Sequence, residues 1–338
     1  MREYSKDPER ILILKPSSLG DIIHSLPTLA AIRERFPKAF IGWLVKREWA
    51  GILEGHPSLD ELLSFPFDAG SAWPMVRNIR KRRFDLTLDL QGLLRTGLLC
   101  YLSGATDRIG FKGARELSPL FYTYLVGVDK ENLHAVDRYL LMAKELGGKT
   151  DFKRFDISIT ERDREKVRKL IKTVSGDQAM IAIHTASRQE VKRWPLERFA
   201  QLAEQIGQAA CGIPVFTGAR EDVKDIYEIQ KRMQTFSINL AGQTSLKELA
   251  ALLKMSRLLI TNDSGPMHLA AAVGTRVIAL FGPTDPRKIG PYGQGHLVLR
   301  HTELCPACQS GTKGPHRCLE AISVKETMEA VKNVLEGG

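Results

Sequence analysis

The sequence predicts an α/β protein of two parallel-sheet domains facing each other across a cleft. Two observations carry that reading. Apolar runs of strand length alternate with helical patterns along nearly all of the 338 residues. A polar stretch, GGKTDFKRFDIS (147–158), interrupts the alternation near the middle, and the chain is long enough for two separate cores. The boundary is placed at 155/156, giving domains 1–155 and 156–338, with a last helix, 323–336, that could return to pack on the first.

In the first half, strands are expected at 10–15, 39–45, 84–89 and 107–111, each an apolar run bounded by polar or turn residues. RILILK leads through PSSLGD into the helical IIHSLPTLAAIRERF. Pro27 fits poorly inside a helix, so either the helix kinks there or Ser25 caps a fresh start. In the second half, strands are expected at 179–184, 213–217, 257–262, 276–281 and 296–300. Helical patterns fall at 135–147, 195–207, 220–233, 245–254 and 323–335.

Residues 261–293 hold the densest signal. RLLITND is an apolar strand that ends in Thr261, Asn262 and Asp263; Ser264 and Gly265 turn the chain, and PMHLAAAV starts a helix. VIALF follows as a second strand and ends in GPTDP. In open α/β sheets ligands bind outside the carboxyl ends of the strands, and a helix N-terminus attracts phosphate. This is a place to hold a diphosphate. RILILKPSSLGD repeats the layout, so Asp21 lies at the carboxyl end of the first strand. Alone, such a residue can simply complement a helix dipole; the pair of constellations, one in each half, argues for a site.

Hydrophobic content of 43% and charged content of 26% are ordinary for a globular protein. No run approaches the ~20 apolar residues of a membrane span, and MREYSKDPERILIL has no signal-peptide core, so a cytoplasmic location is expected. The net charge is +10, with 22 Lys/Arg against 18 Asp/Glu in residues 1–150 and 27 against 21 in the rest. A surplus spread over both halves suits an anionic ligand or surface without demanding nucleic acid. G-x-G-x-x-G, the P-loop pattern and D-x-D are all missing from the sequence. That weakens a dinucleotide or P-loop reading and a metal-held sugar diphosphate.

LKPSSLGDIIHSLPTL, LDLQGLLRTG, ARELSPLFYTYL, HAVDRYLLMAKELG, Lys192-Arg193-Trp194-Pro195 and NDSGPMHLAAAVGTRVIALFGPTDPRKIGPYG occur in that order. Together they resemble the ADP-heptose:lipopolysaccharide heptosyltransferases, with N-terminal motifs most similar to heptosyltransferase I. The resemblance covers nearly the whole chain. It implies a GT-B fold of two Rossmann-like domains, acceptor on the first and nucleotide-sugar on the second. It also implies inverting transfer of heptose from ADP-heptose to the Kdo-lipid A inner core, with no cofactor.

By the same resemblance Asp21 is the general base, and Lys192 contacts the diphosphate as it leaves. A solvated loop lysine is the other account of Lys192. Thr185 and Ser187 match hydroxyl donors to phosphate; the family often has adjacent threonines there, and this chain has Thr185-Ala186-Ser187. Asp263, Ser264 and Gly265 complete the cradle. His268, on the first turn of the next helix, reaches phosphate or sugar, or serves structure alone. Glu221 would accept hydrogen bonds from ribose hydroxyls, or act as a first-turn helix acid.

The acceptor of this family is acidic and lies at a membrane, which suits planar arginine forks. Arg115 and Arg138 match family arginines assigned to it. Arg77, Arg80, Lys81, Arg82 and Arg83, beside Trp73, Val76 and Ile79, form a short basic amphipathic helix. That is the pattern of a segment lying on an anionic membrane face, here the inner face of the inner membrane, or of a solvated charged helix. Cys305-x-x-Cys308 followed by His316-x-Cys318 has the ligands of a tetrahedral zinc site. The same residues suit a plain structural loop, which is the reading taken. Two other functions remain open: another nucleotide-sugar transferase of the same fold, or a non-enzymatic basic nucleotide- or nucleic-acid-binding protein.

Overall fold

A computed structural model describes residues 7–66, 70, 72–128, 133–151, 153–172, 178–310 and 317–336. The chain divides into two compact units, Met1–Ser158 and Ile159–Gly338. No helix among the described residues is long and apolar enough to cross a membrane.

The first unit runs β1 (Arg10–Leu14), α1 (Leu19–Arg35), β2 (Phe40–Lys46), β3 (Glu61–Phe65), α2 (Ala72–Lys81), β4 (Leu86–Asp89), α3 (Leu94–Ser103), β5 (Asp107–Phe111), β6 (Tyr124–Val126) and α4 (Ala135–Glu145). Its six-stranded parallel sheet has the order β3-β2-β1-β4-β5-β6. β1 is central, and Ile11 to Leu14 are wholly buried, as expected for a parallel strand covered on both faces. The order reverses between β1 and β4, and such a switch point is where ligands bind in this topology.

The second unit runs α5 (Glu161–Leu170), β7 (Met180–His184), α6 (Leu196–Gln208), β8 (Ile213–Thr217), α7 (Val223–Gln230), β9 (Ile238–Asn239), α8 (Leu246–Met255), β10 (Leu258–Asn262), α9 (Gly265–Ala272), β11 (Arg276–Phe281), α10 (Pro286–Ile289), β12 (Leu297–Arg300), α11 (Pro306–Ser310), α12 (Cys318–Ala321) and α13 (Val324–Glu336). Its sheet, β12-β11-β10-β7-β8-β9, repeats the plan, with the switch between β7 and β10. The final helix packs on α6 and β11 of its own unit. There Met328, Ala330, Val331 and Val334 join the core.

The strands the sequence did not disclose are β3, β6 and β9. Each ends a sheet: β6 and β9 are only three and two residues long, and β3 is mostly half-buried with polar Glu61 and Ser64 in it, so the apolar signal is thin. α1 runs unbroken through Pro27. Ser25 therefore caps no second helix; its hydroxyl donates to the Asp21 carbonyl at 2.8 Å. On α2 the buried set is Met75, Val76 and Ile79, while Trp73 is 71% exposed. The expected three-residue stripe fails because each such step falls about 60° short of a full turn, carrying Trp73 off the buried face.

Candidate active site

Asp21 sits in the first turn of α1, where PSSLG leads out of β1. Its Oδ2 accepts hydrogen bonds from the Ser18 amide (3.3 Å) and hydroxyl (3.1 Å). Its Oδ1 accepts one from the Tyr139 hydroxyl at 3.0 Å. Tyr139 comes from α4, which packs along α1. Beneath the carboxylate lies Lys15, the residue that follows β1. Its Nζ is 3.7 Å from Asp21 Oδ1, with side chains 3% and 40% exposed respectively, so the anion is the member of the pair that water or a substrate meets. The same Nζ donates to Tyr139 Oη at 2.8 Å and to the Leu90 carbonyl at 3.1 Å.

Burial on its own would raise the Asp21 pKa. The Lys15 ammonium, with hydrogen bonds from Ser18 and Tyr139, outweighs it and holds the carboxyl below the ordinary range. Asp21 is thus a carboxylate at neutral pH, able to take a proton in a transition state. Arg138 leans on the same tyrosine: its Nη2 donates to Tyr139 Oη at 3.3 Å, and its guanidinium carbon lies 5.0 Å from the ring centroid. Lys15 and Tyr139 escape a reading of the sequence. A lysine closing an apolar strand is the one local hint, and the meeting of α1 with α4 is a long-range event.

Lys15→Met keeps most of the buried volume and removes the charge. The acid limb of any pH–rate profile governed by Asp21 should then move to higher pH, because the carboxyl loses the cation that lowers its pKa. An acid limb that stays in place would remove Lys15 from this role.

The other proposed acceptor residues lie apart from Asp21 in sequence. Arg77, Arg80, Lys81 and Arg83 are exposed on α2 and just beyond it. Arg82 instead turns to Glu61, in an ion pair between α2 and β3. Arg115 is exposed, in a loop pinned by its amide to the Gly92 carbonyl at 2.9 Å. Gly92 has φ +67° and lies against Ala114, so a side chain there would be strained and crowded. The next residues, Glu116 and Leu117, also have positive φ, 57° and 61°. Leu117 and Leu120 are exposed, as are Leu94, Leu98 and Tyr101 on one face of α3, which packs against the 118–121 turn.

In the second unit the loops leaving β7 and β10 lock together. Asn262, fully buried at the end of β10, donates through Nδ2 to the Thr185 carbonyl (2.6 Å) and accepts from the Trp194 amide (3.0 Å). Ser187 Oγ donates to the Asp263 carbonyl at 3.1 Å. Lys192 Nζ meets Asp263 Oδ2 at 2.6 Å, with side chains 16% and 6% exposed. Thr284, after β11, donates to the same oxygen at 2.7 Å. The sequence marks Asn262 only as a polar strand end and Thr284 only as part of GPTDP; neither is given a site role there.

Ser264 does not cap α9; its Oγ pairs with Thr261 Oγ1 at 3.0 Å. Pro266 lacks an N–H, so it takes one donor from the first turn of α9. His268 is buried on that turn. At the end of β8, Asp222 caps the turn through the Ala219 amide at 2.7 Å, and the adjacent Glu221 is exposed. Cys305, Cys308 and Cys318 converge elsewhere, and His316 lies outside the described residues.

Residues 72–316 match the family described as glycosyltransferase family 9 (heptosyltransferase). Lipopolysaccharide heptosyltransferase 1 of Escherichia coli O18:K1:H7 is 28% identical over 308 residues, which cover 86% of this chain and 91% of that one. Among solved structures, a glycosyl transferase family 9 protein from Veillonella parvula superposes with TM-score 0.86 at 26% identity, over 98% of both chains. The E. coli heptosyltransferase WaaC with ADP gives 0.77 at 23%, over 96% and 99%.

Proposed function

Because the chain belongs to glycosyltransferase family 9, the heptosyltransferases, we propose that it moves heptose from ADP-heptose to the Kdo-lipid A inner core of lipopolysaccharide. The reaction proceeds with inversion. Asp21 takes the acceptor hydroxyl proton as that oxygen attacks the anomeric carbon and the bond to ADP breaks. Lys192, Thr185, Ser187 and the Gly265 amide receive the charge that grows on the diphosphate, with Asp263 and Thr284 fixing the lysine. This needs no cofactor. Glu221 holds the ribose, His268 the phosphates or sugar, and Arg115 and Arg138 the acidic acceptor. The observation that carries the proposal is the buried Lys192–Asp263 pair at the β7/β10 switch point, a fixed cation with hydroxyl donors beside it. The names of the heptosyltransferase relatives support the sugar and acceptor.

The test compares ADP, UDP and GDP for thermal stabilisation, then assays transfer from ADP-heptose to Kdo-lipid A. ADP should raise Tm most, since a ligand stabilises the state it binds, and transfer should follow. Preference for UDP or GDP, with no transfer from ADP-heptose, would favour a transferase for a different sugar.

We further propose that the enzyme works at the inner face of the inner membrane as a peripheral protein. Exposed Trp73 beside Arg77, Arg80, Lys81 and Arg83 supports this, as do the exposed leucines of α3 and the 117–120 turn. Each basic residue near an anionic surface contributes about 1 kcal/mol, screened by salt. Changing Arg80, Lys81 and Arg83 together to Gln should therefore weaken binding to anionic vesicles at low salt and raise the acceptor KM, with ADP binding unchanged. Equal vesicle binding by both proteins at low salt would end this part of the reading.

A further inference from the structure

After β12 come a turn at Thr302–Leu304, α11 and α12. The apolar cluster at the centre of this segment is only Cys305, Ala307 and Cys318, with Cys308 against it. Leu319 and Ile322 anchor its far end in the core of the second unit; the cysteine end has only this small cluster, which leaves room for a further source of cohesion.

The three sulfurs supply a candidate. Their Sγ atoms all lie within 4.8 Å of one another, and Cys308 Sγ is 3.3 Å from Cys318 Sγ. A disulfide would need about 2.05 Å. Thiolates arranged tetrahedrally at about 2.3 Å from a metal sit about 3.8 Å apart. The 3.3 Å between Cys308 and Cys318 lies nearer that value than a disulfide's, and no pair of the three exceeds 4.8 Å. Cys305 and Cys318 are 0% and 1% exposed, and the Arg317 amide donates to Cys305 Sγ at 3.4 Å, a contact that favours a sulfur bearing negative charge. Cys305-x-x-Cys308 brackets the start of α11, with the Cys308 amide bonded to the Cys305 carbonyl at 3.0 Å. That turn aims both side chains to one side, and Cys318 arrives from the start of α12.

The geometry points to a structural site for one thiophilic transition-metal ion, zinc or iron, held by Cys305, Cys308 and Cys318. On binding, each thiol releases its proton to solvent and gives a sulfur lone pair to the metal. The fourth position belongs to solvent or to another protein group. The site takes no part in the transfer chemistry and does not depend on the substrate proposed above.

Its position gives it a task. Cys318 opens α12, whose Leu319 enters the main core of the second unit. Just beyond, the Ile322 carbonyl accepts a hydrogen bond from Trp194 Nε1 at 3.0 Å. The Trp194 amide is bound to Asn262, and Lys192 is two residues away. The metal would therefore brace the KRWP segment from behind.

The experiment is elemental analysis of the full chain, purified with reductant and without added metal. About one equivalent of zinc or iron per chain is expected. Cys308→Ser and Cys318→Ser should each cut this at least fivefold, while Cys211→Ser leaves it unchanged. Should those variants fail to fold, the wild type still decides: titration with a mercurial should release the metal as three thiols react, and Tm should fall. Metal-free protein of full Tm would overturn the site, as would a Cys308–Cys318 disulfide in protein kept reduced. Because no substrate is present, the outcome is separate from whether heptose is transferred.

Discussion

Asp21→Ala is expected to lower kcat/KM for transfer by about 10²- to 10⁴-fold, the usual worth of a positioned general base, while ADP still binds. The residues proposed to bind the nucleotide all belong to the second unit, and Asp21 belongs to the first. Alanine also removes the acceptor for Ser18 and Tyr139 and leaves the Lys15 ammonium without its anion. Asp21→Asn should therefore be measured beside it. The amide keeps the size and most of the hydrogen bonds but cannot take the proton. Equal losses in the two variants, with Tm and the ADP dissociation constant near wild type, assign the effect to proton transfer. Activity within tenfold of wild type in either would rule Asp21 out as the base.

Lys192→Ala should reduce kcat by about 10²-fold or more, in the range of losing one preorganised donor to a developing charge, with a smaller change in ADP-sugar affinity. Negative charge on the diphosphate grows as the bond breaks, so the lysine helps more in the transition state than in the ground state. A raised KM with unchanged kcat would show that Lys192 only binds substrate. Glu221→Ala is the contrast. This exposed carboxylate is proposed to hold the ribose, so its loss should weaken ADP binding and spare the chemical step. An unchanged ADP dissociation constant would take Glu221 out of the site.

The parts of this molecule legible in the sequence were those with local, periodic signals. β1, β7, β10 and β11 stand out as apolar runs ending in polar residues, and their sudden ends mark the rims where Asp21 and Asp263 lie. What the residues alone could not say was which distant pieces meet. Lys192 and Asp263 are 71 positions apart and touch because β7 lies beside β10 in the sheet. Tyr139 reaches Asp21 across 118 positions through the packing of α1 on α4. Lys15 shows the same limit: the apolar strand it closes is a hint, but its burial under a carboxylate is a consequence of tertiary packing. The α2 stripe misled for a different reason. Three-residue spacing resembles helical periodicity over one turn and drifts off the buried face over two.

Each unit carries a lysine–aspartate couple at the point where its strand order reverses, and the two couples are turned opposite ways. In the first, the ammonium is sealed in at 3% exposure and the carboxylate keeps 40%. In the second, the carboxylate is the more enclosed, at 6% against 16% for the lysine. Two couples of the same composition therefore present opposite signs. In the proposed reaction a hydroxyl about to lose a proton would meet an anion whose counterion is hidden, and a diphosphate about to gain charge would meet a cation whose counterion is the more enclosed partner. The polarity of the proposed reaction thus rests on which partner of each couple stays accessible at the strand exits.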